Sequence, residues 1–150
     1  MCFLHFHFQL KTNQFCFFQY LQSKNQIGAN GLSGLGSALA NCTNLSNLTL
    51  FLWGNQIDAK GASDLGYELA NCTNLSNLTL DLGNNQIGDI SKLISELANC
   101  TNLSNLTLDL YNNQFGDQGA SSLGQALINC TNFSNLTLNL SQKKLNSYGF

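Results

Sequence analysis

Residues Leu69–Ile87 read Leu-Ala-Asn-Cys-Thr-Asn-Leu-Ser-Asn-Leu-Thr-Leu-Asp-Leu-Gly-Asn-Asn-Gln-Ile. From Leu78 the apolar residues alternate. Leu78, Leu80 and Leu82 fall on one side and Thr79 and Asp81 on the other, which predicts a short strand with one buried face. The run then breaks into Asn85-Gln86-Ile87-Gly88, a turn by its Asn and Gly content.

The same string recurs up and down the chain. Asn-Cys-Thr-Asn begins at Asn41, Asn71, Asn99 and Asn129, at spacings of 30, 28 and 30 residues. Between copies the apolar spacing changes to three and four, at Leu32, Leu35 and Leu39, at Ala62, Leu65 and Leu69, and at Leu123 and Leu127. That spacing predicts a helix. Strand, turn, helix and return to strand in about 30 residues predicts parallel strands with crossover helices. A fainter copy precedes the first clear one. Phe15, Phe18 and Tyr20 align with Leu45, Leu48 and Leu50, and Asn25-Gln26-Ile27 aligns with Asn55-Gln56-Ile57. The expected organisation is an irregular segment over residues 1–10 and an array over residues 11–150. The array would hold about four and a half units and lack a polar unit at its C-terminal end.

These residues resemble the leucine-rich repeat family, in its ribonuclease-inhibitor-like subtype with units of about 28–29 residues. Leu80, Leu82, Asn85 and Ile87 match the central part of the family pattern, as do Leu108, Leu110, Asn113 and Phe115. Gly31, Gly61 and Gly119 match the Gly that opens the helix. The strand half is two residues longer than the family run. The third unit is two residues shorter and has Ile90-Ser91 where that Gly would stand. The resemblance implies an α/β fold: a right-handed solenoid in a horseshoe arc, with parallel strands on the concave side and helices on the convex side. It also implies a structural ladder of buried Asn at Asn25, Asn55, Asn85 and Asn113. An amide suits that role, because it can satisfy backbone donors and acceptors that water cannot reach. Lys143 stands where the next Asn would be.

Composition excludes several classes. Charged residues are 9% of the chain, the six basic residues are all Lys, and net charge is −2. Nucleic acid and anionic membrane surfaces need clustered cations, so neither is expected as a partner. No apolar run approaches the roughly 18–20 residues that span a bilayer. Leu and Asn together make up one third of the chain, which describes a folded repeat and not a disordered segment.

Four of the six Cys residues come once per unit, at Cys42, Cys72, Cys100 and Cys130, while Cys2 and Cys16 belong to the irregular start. Zinc sites use much shorter spacings, so stacked buried thiols are expected and no metal or cofactor. Thirteen Asn-x-Ser/Thr sequons crowd the repeats. Free thiols and so many sequons fit a reducing, cytoplasmic setting. Residues 1–10 carry His5 and His7 and lack the basic start, long apolar centre and cleavage site of a signal peptide.

Ligand contacts are expected where the repeats differ. Alternate strand residues point away from the Leu core and form columns. One column is Thr49, Thr79, Thr107 and Thr137; the next is Phe51, Asp81, Asp109 and Asn139; at the strand exits stand Trp53, Gly83, Tyr111 and Ser141. The Leu positions barely change between units, whereas the last two columns do. Phe51, Trp53, Asp81, Asp109, Tyr111 and Asn139 are therefore the candidate contacts for a protein or peptide partner, and the two Asp favour a basic one. No nucleophile motif or phosphate loop occurs, and Asp81 and Asp109 would lie about 5 Å apart on an open sheet, so no catalytic residue is expected. Two functions follow: a non-catalytic interaction module, or a structural or regulatory part of a longer protein. The family resemblance implies the second as well, since arrays resembling this one sometimes occur beside protein kinase domains in longer chains. An uncovered last strand would also favour self-association through that edge.

Overall fold

The computed structural model describes residues 26–42 and 44–142. The irregular 1–10 segment, the half-unit at Phe15–Tyr20, Asn25 and Lys143 lie outside the described residues. Four helices and four strands alternate: α1 (Gly28–Ala40), β1 (Asn47–Phe51), α2 (Ala59–Leu69), β2 (Asn77–Asp81), α3 (Ser91–Leu97), β3 (Asn105–Asp109), α4 (Asp117–Ile128) and β4 (Asn135–Asn139).

The strands form one parallel sheet in the order β1-β2-β3-β4. Register follows the repeat: Thr49 pairs with Thr79, Thr79 with Thr107, and Thr107 with Thr137. The two-residue contraction of the third unit is taken up between strands, so the columns stay aligned. That unit's helix is cut to seven residues.

Leu makes the core. Leu48, Leu78 and Leu106, and Leu50, Leu80 and Leu108, are buried between the sheet and the helix layer. The helices contribute Leu32, Leu39, Ala62, Leu65, Leu69, Leu93, Leu97 and Leu123 to the same cluster. Leu35 and Leu127 are only partly buried, at the margins of the helical stripe. Each buried Leu contributes roughly 1.5–3 kcal/mol of transfer free energy.

Helix ends are set locally. Asp58 opens α2 by accepting a hydrogen bond from Gly61 N–H at 2.8 Å. In the unit that lacks the opening Gly, the N-cap Ile90 offers no side-chain bond, and Asp89 before it accepts from Ser91 N–H at 2.8 Å. The turn after each strand needs a left-handed residue. Gly54, Asn84 and Asn112 supply it with φ of 67°, 54° and 56°. Gly and Asn adopt that conformation at the least cost.

Asn85 and Asn113 fill the ladder role. Both are buried. Asn85 Oδ1 accepts from Asn55 N–H at 2.8 Å and Ile57 N–H at 3.0 Å. Its Nδ2 donates to Leu52 O at 3.0 Å and Leu82 O at 2.8 Å. One side chain thus joins the turns of two adjacent units. Asn113 repeats this with Ile87 N–H and the carbonyls of Leu82 and Leu110. Asn55 is equally buried, and its Oδ1 has no partner among the described residues.

Candidate functional site

The sheet face opposite the helices carries three columns of side chains. At the strand starts Asn47, Asn77, Asn105 and Asn135 form a second amide ladder. Asn77 Nδ2 donates to Asn47 Oδ1 at 2.7 Å, Asn105 to Asn77 at 2.6 Å, and Asn135 to Asn105 at 2.6 Å. Parallel in-register strands place identical amides one strand spacing apart, which is the distance such a bond needs. This ladder is absent from the sequence reading above, where those Asn count only as sequons. The available signal was an unvarying Asn at an outward strand position. The Thr column comes next, and it is uncharged.

The third column is chemically mixed. Phe51 pairs with Asp81, Asp81 with Asp109, and Asp109 with Asn139. Each acid also closes the turn behind it. Asp81 Oδ1 accepts from Gly83 N–H at 3.1 Å, and Asp109 Oδ1 accepts from Tyr111 N–H at 2.8 Å. Asn139 continues the series through Ser141 N–H at 3.1 Å, and its Nδ2 donates to Asp109 Oδ2 at 3.0 Å. Asp109 is thus held by an amide on one flank. Asp81 lies between an apolar Phe51 and a second carboxylate. Partial burial pushes the Asp81 carboxyl up from its ordinary value and the neighbouring Asp109 charge pushes the same way, against the Gly83 N–H.

The fourth row sits at the strand exits. A methyl group on Gly83 would stand 2.8 Å from Trp53 Cδ1, 3.3 Å from Trp53 Nε1 and 3.3 Å from Asp81 Oδ1. The Cδ1–Nε1 edge of the Trp53 indole therefore lies against Gly83, as Asp81 Oδ1 does, and a larger residue at 83 would push the ring aside. Gly83 is the positioning residue that the column reading does not single out. Phe51 and Tyr111 are each 36% exposed, so their rings remain available to a ligand.

The six candidate contacts fall on one face. Trp53 and Asp81 flank Gly83, Phe51 pairs with Asp81 across the strands, and Asp109, Asn139 and the strand-exit residue Tyr111 belong to the adjoining units. The cluster combines aromatic faces with carboxylates. Lys60 and Lys92, the two described cations, belong to α2 and α3 and pair with Asp64 and Glu96 there. The described part of this face therefore presents acid without a paired cation.

The thiols form a column of their own between units. Cys72 Sγ lies 3.4 Å from Leu39 O and Cys100 Sγ 3.6 Å from Leu69 O, the carbonyls that end the preceding helices. Burial pushes the Cys72 thiol up to about 11 and Cys100 up to about 12, each helped by the neighbouring Cys. Such thiols are poor nucleophiles near neutral pH. Cys72, Cys100 and Cys130 are free thiols, and Cys42 and Cys130 are partly exposed. Among the described residues no three His, Cys, Asp or Glu side chains converge as a metal site, and no helix is long and apolar enough to cross a membrane. A comparison of the chain with protein-family models and with curated protein sequences finds no match.

Proposed function

We propose that the chain is a leucine-rich repeat solenoid whose concave sheet face binds a basic protein or peptide without catalysis. The observation that carries this reading is the setting of Trp53. Its indole edge and the Asp81 carboxylate both lie against Gly83, and Asp109 follows one strand away. A Lys or Arg side chain laid across β1–β3 would meet an aromatic surface and a carboxylate together. Cation–π contact is worth about 0.5–2 kcal/mol, and a rim carboxylate adds attraction that falls with salt. The Asn and Thr columns beside it supply amide and hydroxyl groups at the strand spacing, which suits a segment running across the strands. Acid–base chemistry has little footing: Asp81 and Asp109 are tied to backbone N–H groups.

Trp53 is the sole Trp of the chain and reports on its own site. Titration with a panel of Lys- and Arg-containing peptides should change its fluorescence for a subset of them. Asp109→Asn and Phe51→Ala should each weaken binding about three- to thirtyfold, with the Asp109 effect reduced in high salt. Gly83→Ala, which displaces the indole, should weaken it as well. Peptide affinities that ignore all three substitutions would defeat the reading.

A further inference from the structure

The two acids of the sheet face are engaged differently. Asp109 has both oxygens taken: Oδ1 accepts from Tyr111 N–H at 2.8 Å, and Oδ2 accepts from Asn139 Nδ2 at 3.0 Å. Asp81 has one. Its Oδ1 accepts from Gly83 N–H at 3.1 Å, and among the described residues Oδ2 takes no hydrogen bond. The flanking strands explain the difference. Asn139 stands beside Asp109 and has an amide to give, whereas Asp81 pairs with Phe51 on one side and with a second acid on the other. Asp81 is half-buried, and burial first and the Asp109 charge second push its carboxyl up. A cation placed at Oδ2 would offset both.

This geometry discriminates between cations. A guanidinium binds a carboxylate best as a fork, with two parallel N–H groups on the two oxygens of one acid. Neither Asp81 nor Asp109 keeps two unengaged oxygens. An ammonium needs one anionic oxygen and can turn its three donors around it. Asp81 Oδ2 is such an acceptor, and the Thr79 hydroxyl follows two residues back on the same face of β2. The surroundings suit an apolar stem. Phe51 pairs with Asp81 and is 36% exposed. The Trp53 Cδ1–Nε1 edge and Asp81 Oδ1 lie within 3.3 Å of one point, the place a methyl group on Gly83 would occupy. A lysine buries its methylenes on such rings while its head group stays polar.

We propose that this face selects a lysine side chain over an arginine, with the ammonium on Asp81 Oδ2 and the methylenes against Phe51 and Trp53. Asp81 then sets the specificity, and Asp109 adds charge that favours either cation alike. This selection rests on the reading of the face as a site for basic peptides, and narrows that site to one head group.

Two Gly/Ser peptides that differ only in carrying Lys or Arg at the same positions test it, each titrated against the full chain with Trp53 fluorescence as the readout. Their net charges are equal, so long-range attraction cancels and the head group decides. The Lys peptide should bind about tenfold more tightly, the scale of one charge-assisted hydrogen bond. Asp81→Asn should erase that preference. Asp109→Asn should weaken both peptides by similar factors and keep it. Asp81→Asn retains its turn, since Asn139 closes the equivalent one through Ser141 N–H, and a cooperative circular dichroism melt checks the fold of the variant. Equal binding of the two peptides by the wild type, tighter binding of the Arg peptide, or a preference that survives Asp81→Asn would overturn the proposal and leave the face a general site for basic peptides. Binding of neither peptide would overturn it together with that reading.

Discussion

At Asp81 a carboxylate stands where the same column offers an amide two units later. Asn139 closes its turn as the acids do and also donates to Asp109. Asp81 cannot donate, and its carboxyl is pushed up by burial first and by Asp109 second. A raised carboxyl stabilises the fold where it is protonated, below its unfolded value, and that contribution is lost as pH rises through the folded value. Asp81→Asn should therefore stabilise the protein at neutral pH. It keeps an acceptor for Gly83 N–H and gains a donor toward Asp109. The expected gain is about 0.5–1 kcal/mol, the scale of one hydrogen bond on a half-exposed face. Urea titrations of the two proteins should differ at pH 7 and converge as the pH falls below the carboxylate range. A difference that persists in acid would assign the effect to packing. The same substitution should weaken a basic ligand, so stability and binding move in opposite directions at this residue.

Among the elements, the helices differ in what their Gly residues do. Counted by propensity, Gly34, Gly36, Gly66 and Gly124 each cost roughly 0.5–1 kcal/mol against Ala. The packing divides them. Gly66 faces α3, and a methyl group there would come within 2.7 Å of Leu93 Cδ1 and 3.2 Å of Leu93 O. Gly36 meets Glu68 of α2 in the same way. These two permit the helices to stack at the pitch of the sheet. Gly124 in α4 has open space around it. Gly119 is the tightest: a methyl group would lie 2.4 Å from Gly88 O, a backbone atom that cannot swing aside. Gly119→Ala should therefore destabilise by about 1–3 kcal/mol, as overpacking does, while Gly124→Ala should stabilise by roughly 0.5–1 kcal/mol. Thermal melts of the two variants, made at concentrations that hold self-association constant, should shift in opposite senses.

On the scale of the molecule, the described elements of each layer contact their counterparts in successive units: α1 with α2, α2 with α3, α3 with α4, and each strand with the next. Stability is then close to a sum of unit and interface terms, and position along the array sets the cost of a defect. Leu80 in β2 has a unit on either side and is fully buried. Leu138, its counterpart in β4, is partly buried. Leu80→Ala should cost about 3–4 kcal/mol and Leu138→Ala about 1 kcal/mol by chemical denaturation of the dilute chain. Equal costs would mean that the end of the array is as well covered as its middle.

The strands, the helices and their order were legible in residues such as Leu78, Leu80 and Leu82 and in Leu65 and Leu69. Burial of an apolar face depends on local periodicity, and periodicity is printed in the chain. The register was legible too, because near-identical units can stack in only one alignment that keeps every Leu inside. The role of the turn Asn residues was implied by the family resemblance and not by the spacing itself, though an amide is the group a buried turn can use. What neighbouring units do to one another depends on distances across the stack, and those only the tertiary structure decided. It linked Asn47, Asn77, Asn105 and Asn135 into a ladder and made Gly83 the seat for Trp53. It held Asp109 with an amide while leaving Asp81 beside a like charge, and it separated the Gly residues that permit close packing from those that merely weaken a helix. It also showed Leu136 and Leu140 exposed where their counterparts in the inner units are buried, since the covering of a repeat is its neighbour and not any feature of its own sequence.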